Sequence, residues 1–90
     1  MSLERWKIFS KREQLLFIGS ELERARVWGE EGNQENFLGA LMRAADLVAL
    51  TAQDEKWSDD IEKPLFLREE LMKLSVGESI FTPAQIYQAL

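Results

Sequence analysis

Carboxylates are the side chains of this sequence best able to do chemistry. In Asp59-Asp60-Ile61-Glu62 two of them, Asp59 and Glu62, stand three positions apart, the spacing at which acidic groups one helical turn apart converge on a divalent cation. A magnesium site of the kind used for phosphate-ester hydrolysis needs such a pair on each of two facing elements, and the sequence holds this pair alone. Histidine and cysteine are both absent. That removes the commonest general base, imidazole and thiolate metal ligands, every Ser-His or Cys-His dyad, and disulfides. The acidic run Asp54, Glu55, Asp59, Asp60, Glu62 also lacks the regular spacing and central glycine of an EF-hand loop, so it reads as a solvated connection. No residue is assigned as catalytic, cofactor-binding or metal-ligating.

Two other groupings carry charge in a pattern. Arg43 and Asp46, three apart on one helix face, are expected to form an ion pair or the polar orienting pair of an interface. Lys7, Lys11, Arg12, Arg24 and Arg26 alternate with Trp6, Phe17 and Trp28, a combination that can contact phosphate and stack bases. The net charge of −5 opposes polyanion binding, aromatic residues at helical spacing ordinarily pack in a core, and no glycine-rich phosphate loop is present, so nucleic acid is not an expected partner. Without histidine the Glu-x-x-His di-metal sites of helical bundles cannot be built. Helical nucleases of the HEPN type carry an arginine with a histidine shortly after it. A chain that resembles them in architecture alone, as this one would, is a non-catalytic relative. A metal-dependent phosphohydrolase and an RNA- or DNA-associated HEPN-like protein stand as the alternatives to an association role.

The elements that position these residues are helices. Ser10 with Glu13 forms a capping box, in which the hydroxyl and the carboxylate each accept a first-turn backbone N–H, and it starts a helix from about Lys11 to about Trp28. Upstream, Leu3, Trp6 and Phe9 recur at helical spacing. Gly29 and Gly32 are stop signals, and Asn33 caps a second helix reaching about Glu55. WSDDIEK follows as a polar connection. Pro64 suits the first turn of a third helix with a Leu67, Leu71, Leu74 stripe ending at Gly77. Thr82-Pro83-Ala84-Gln85 opens a short last helix carrying Ile86, Tyr87 and Leu90. No run alternates as a strand does. The expected fold is all-α: one domain over residues 1–90, a bundle of three to five helices with the residue 34–55 helix at its centre.

That central position follows from the helix's own composition. Asn36, Gly39, Arg43, Asp46, Gln53 and Asp54 occupy a stripe about 100° wide, with Leu50 intruding. Apolar residues fill nearly all of the other ~260°. Residues 1–28 carry six basic against four acidic side chains and residues 29–63 three against nine, which suits antiparallel packing of the first helix on the second. Phe17 and Trp28 form a second apolar row on the first helix, and Leu65, Phe66 and Met72 lie off the main stripe of the third.

Apolar surface in excess of one interface points to a protein that works by association, as a homodimer or higher oligomer, or as the accessory partner of another protein. The residues expected at such an interface are Phe17, Trp28, Leu41, Arg43, Ala45, Asp46 and Val48. The competing arrangement folds both terminal segments back to close a monomeric bundle. The most apolar segment is broken by Arg43 and Asp46 well short of the ~20 residues a bilayer requires, so a cytoplasmic location without membrane insertion is expected.

Overall fold

A computed structural model of the chain describes residues 1–79 and 81–89, with Ala84 and Tyr87 described by backbone alone. Leu90, expected on the last helix, lies outside the described residues. The elements are α1 (Leu3–Trp6), α2 (Lys11–Glu30), α3 (Gln34–Gln53), a 3₁₀ turn (Glu55–Trp57), α4 (Glu62–Ser75) and α5 (Pro83–Gln88), with no strand among the described residues.

Local chemistry sets most of these boundaries. Ser10 Oγ accepts from the Glu13 N–H at 3.1 Å and Glu13 Oε1 from the Ser10 N–H at 3.0 Å, so the capping box that starts α2 is complete. The same reciprocal pair joins Thr82 and Gln85 at the start of α5. Asn33 Oδ1 accepts from the Asn36 N–H at 3.0 Å and caps α3. Helix α2 runs through Gly29 and stops two residues later than expected, because Gly32, at φ +74°, is the residue that adopts the left-handed conformation. The Asn33 N–H then reaches back to the Trp28 carbonyl at 2.9 Å and the Gly32 N–H to that of Gly29 at 3.2 Å, which satisfies carbonyls the helix end would leave open. Gly77, at φ +73°, ends α4 by the same two bonds, from Glu78 to Lys73 and from Gly77 to Leu74.

Helix α3 is the centre of the bundle, packed on α2 and α4 and touched by α1 and the 3₁₀ turn. Its Ala40, Leu41, Ala44 and Val48 meet Ile18, Leu22 and Ala25 of α2 and Leu67 and Leu71 of α4 in one core. The two ends of the chain complete that core. Trp6 and Ile86 are both fully buried, so the terminal segments fold back as a monomeric bundle requires. The apolar arc of α3 is nevertheless not covered all round: Met42 is 68% exposed and Ala49 is exposed, whereas Leu50, on the expected polar stripe, is half-buried. Truncation of Leu22 to alanine is expected to cost about 2–5 kcal/mol, and Ser10→Ala about 1 kcal/mol, read as shifts in urea unfolding midpoints at unchanged slope.

Candidate functional site

The expected polar connection WSDDIEK is not polar at its first residue. Trp57 is buried in the 3₁₀ turn, where its indole N–H donates to Gln14 Oε1 at 2.6 Å. Gln14 is itself fully buried, and its amide donates to the Trp6 carbonyl and to Asp54 Oδ2, both at 2.9 Å. Trp6 Nε1 donates to Thr51 Oγ1 at 3.0 Å, and that hydroxyl donates to the Leu47 carbonyl within α3 at 2.7 Å. Lys56 closes the set: its ammonium donates to the carbonyls of Lys7 at 2.9 Å and Phe9 at 2.7 Å and to Asp54 Oδ2 at 2.8 Å. The N-terminal arm, α2 and the end of α3 are thus bound together through side chains about forty residues apart in sequence.

Gln14, Thr51, Asp54 and Trp57 carry this cluster, and the reading of the sequence assigned them no role. Two signals could have found them: a glutamine at helical spacing from the buried Ile18, Leu22 and Ala25, and a tryptophan inside a polar run. No buried side-chain nitrogen or oxygen lacks a hydrogen-bond partner among the described residues, so the cluster presents a closed network and no open coordination position. Burial of Asp54 raises its pKa, but the hydrogen bonds from Lys56 and Gln14 and the Lys56 charge outweigh this and hold the carboxyl below its ordinary value.

The acidic pair does not converge. Asp59 extends to Lys11 at 3.3 Å, Asp60 pairs with Lys63 at 3.7 Å, and Glu62 begins α4. Among the described residues no three potential metal-ligating side chains come together. The basic strip is likewise dispersed into ion pairs: Arg24 with Glu21, Arg26 with Glu23 and Glu30, and Lys11 with Asp59, while the Lys11 ammonium also lies 5.0 Å from the Trp57 ring centroid. No described helix is long and apolar enough to cross a membrane.

The residues expected at an interface fall into three groups. Val48 is buried in the chain's own core, and Leu41 belongs to that core while also lining the groove between α3 and α4. Phe17, 42% exposed, packs on Phe9 and Trp6 of the N-terminal arm at ring separations of 4.9 and 5.9 Å, and Trp28, near the other end of α2, is half-buried. Arg43 does not pair with Asp46. Its guanidinium crosses to Glu21 of α2 at 2.9 Å, because that carboxylate, 12% exposed and shared with Arg24, is held against the α2–α3 seam. Asp46 stays exposed and Ala45 half-buried on the outer side of α3.

Two of the surface grooves among the described residues bear on these helix faces. One, of about 610 Å³, runs along α2 beside α5 and is walled by Leu16, Gly19, Ser20, Leu22, Glu23, Arg24, Pro83 and Gln88. The other, of about 300 Å³, lies between α3 and α4 and is mostly apolar, with Leu38, Leu41, Met42 and Ala45 on one wall and Arg68, Leu71, Met72 and Ser75 on the other. Beside it on α4 stand Leu65, 41% exposed, and just after the helix Val76, 66% exposed. Compared with known protein families, curated proteins and solved structures, the chain matches none of them.

Gln14→Leu keeps the size of the side chain but strands the Trp57 indole N–H, while the Trp6 carbonyl keeps the Phe9 N–H and Asp54 keeps Lys56. At about 1–3 kcal/mol for an unpaired buried group, it is expected to cost roughly 2 kcal/mol in chemical unfolding. A carboxyl with a folded-state pKa below its unfolded value adds stability above about pH 4, and that stability is lost as pH falls through the folded-state pKa. Asp54→Asn is therefore expected to lower stability at pH 7 and to flatten the loss on acidification, measured as unfolding midpoints from pH 7 to pH 3.

Proposed function

We propose that this protein is a cytoplasmic homodimer that works by association, without a catalytic centre of its own. The carrying observation is the apolar surface left over after both terminal segments have closed the bundle. On the α3–α4 side Met42 is 68%, Leu65 41%, Met72 65% and Val76 66% exposed, around a groove whose walls are mostly apolar. Exposed apolar residues scattered singly are ordinary on any protein, but a run of them along two adjacent helices is a patch of the kind that marks an interaction site. The lack of cysteine suits a reducing compartment.

The measurement is absolute mass by light scattering behind a sizing column, at loading concentrations spanning about two decades so that a dissociating dimer is caught in both states. The expected result is twice the 10.4 kDa of one chain, falling toward a single chain on dilution. A mass of one chain at every concentration would sink the reading.

A further inference from the structure

We infer that the α3–α4 groove is where a second copy of this chain seats, across a twofold axis that brings Arg68 of each copy against Asp46 of the other. The inference rests on the association reading above and adds to it the face and the charges that set its register.

Three observations carry it. First, the two methionines at the groove, Met42 on α3 and Met72 on α4, are about two-thirds exposed, and an unbranched thioether adapts to whatever surface it meets. Second, the outer edge of α3 beside them carries Ala45 and Ala49, one turn apart and without bulk, so a facing helix can approach to the ~8 Å that small side chains allow. Third, the patch carries its own electrostatic complement. Arg68 lines the groove on α4, Asp46 lies one turn from Met42 on α3, and both are exposed. Neither has an ion-pair partner among the described residues, whereas Asp54, Asp59 and Asp60 are all paired; of the arginines on α3 and α4, Arg43 is paired with Glu21 and Arg68 is not.

A twofold axis presents the same patch on both sides, so a stable contact demands that a patch be complementary to itself. An apolar centre with a cation on one helix and an anion on the other meets that demand. Inverted onto its copy, it sets methionines against methionines and alanines and places two equivalent Arg68–Asp46 pairs at the margins. A patch of one sign would call for a different protein, and this one does not.

The test is the dimer dissociation constant of the full chain, by sedimentation velocity, for Met42→Asp, Arg68→Asp, Asp46→Arg and the double reversal Arg68→Asp/Asp46→Arg, with Leu16→Asp on α2 as a control away from the groove. All four sites are exposed, so each variant is expected to keep the wild-type unfolding profile, and circular dichroism checks that it does. Met42→Asp is expected to yield monomer. Each single reversal should weaken the dimer about tenfold or more, and the double reversal should return to within roughly threefold of wild type, a recovery that a merely structural effect would not give. Leu16→Asp should leave dimerisation unchanged. A dimer indifferent to the groove variants, or one broken by Leu16→Asp, overturns the groove while the association reading stands; a wild-type chain that is monomeric throughout overturns both.

Discussion

The fold depends on a hydrogen-bonded contact that no hydrophobic pattern announces: the buried amide of Gln14 between the Trp6 carbonyl, the Asp54 carboxylate and the Trp57 indole. A bundle of this size has one thin core, and burying three polar side chains in it is tolerable only where every donor and acceptor is matched. The arrangement meets that condition and gains specificity from it. An apolar side chain at position 14 could pack against either tryptophan in several ways, whereas the amide admits one geometry. That geometry fixes the N-terminal arm, the start of α2 and the 3₁₀ turn together. With the arm in place Trp6 and Phe9 pack on one side of Phe17, and Trp6 itself is fully buried in the core.

Sequence reading went as far as local rules reach. Capping boxes at Ser10 and Thr82, the Asn33 cap, the stop at Gly77 and the central standing of the residue 34–53 helix all follow from interactions within a few residues or from one helix's own periodicity. What stayed hidden depends on pairs distant in the chain. Trp57 reads as part of a polar connection until Gln14, forty-three positions away, is known to meet its indole. Arg43 reads as the partner of Asp46 because both lie on one helix. The cross-helix carboxylate of Glu21 wins because its position at the α2–α3 seam is set by packing, and spacing within α3 carries no information about that. Leu41 and Val48, expected at an interface, are buried within the chain itself: composition shows that a helix is apolar, but which arc its own chain covers is decided by the angle at which α2 and α4 arrive.

The apolar excess that suggested self-association was real, and the structure redistributes it. Terminal segments cover α2 in part, leaving Leu16, Phe17 and Val27 between 37% and 48% exposed, while Met42 and Met72 on α3 and α4 stay about two-thirds exposed. The difference follows from reach. The N-terminal arm is tied by Lys56 and Gln14 to the C-terminal end of α3, and α5 lies along α2, so neither terminal segment is placed to cover the outer side of the α3–α4 pair. Met42, Met72 and Val76 are exposed on that side, over which no described element lies.

The hydrogen-bonded clasp and the exposed groove thereby occupy separate parts of one helix. The clasp engages α3 at Thr51 and at Asp54 just past its end, whereas the groove is walled by its Leu38, Leu41, Met42 and Ala45. Thr51 follows Met42 by nine positions, or ~13 Å of helix at 1.5 Å each, so a charge placed at Met42 and a hydrogen bond removed at the clasp lie beyond the range at which substitutions ordinarily couple. Leu41 is the exception, since it lines the groove and also belongs to the core. A contact that pressed into the groove would be transmitted to the bundle interior through that leucine, and a tight dimer would for that reason stabilise the fold of each chain as well as join the two.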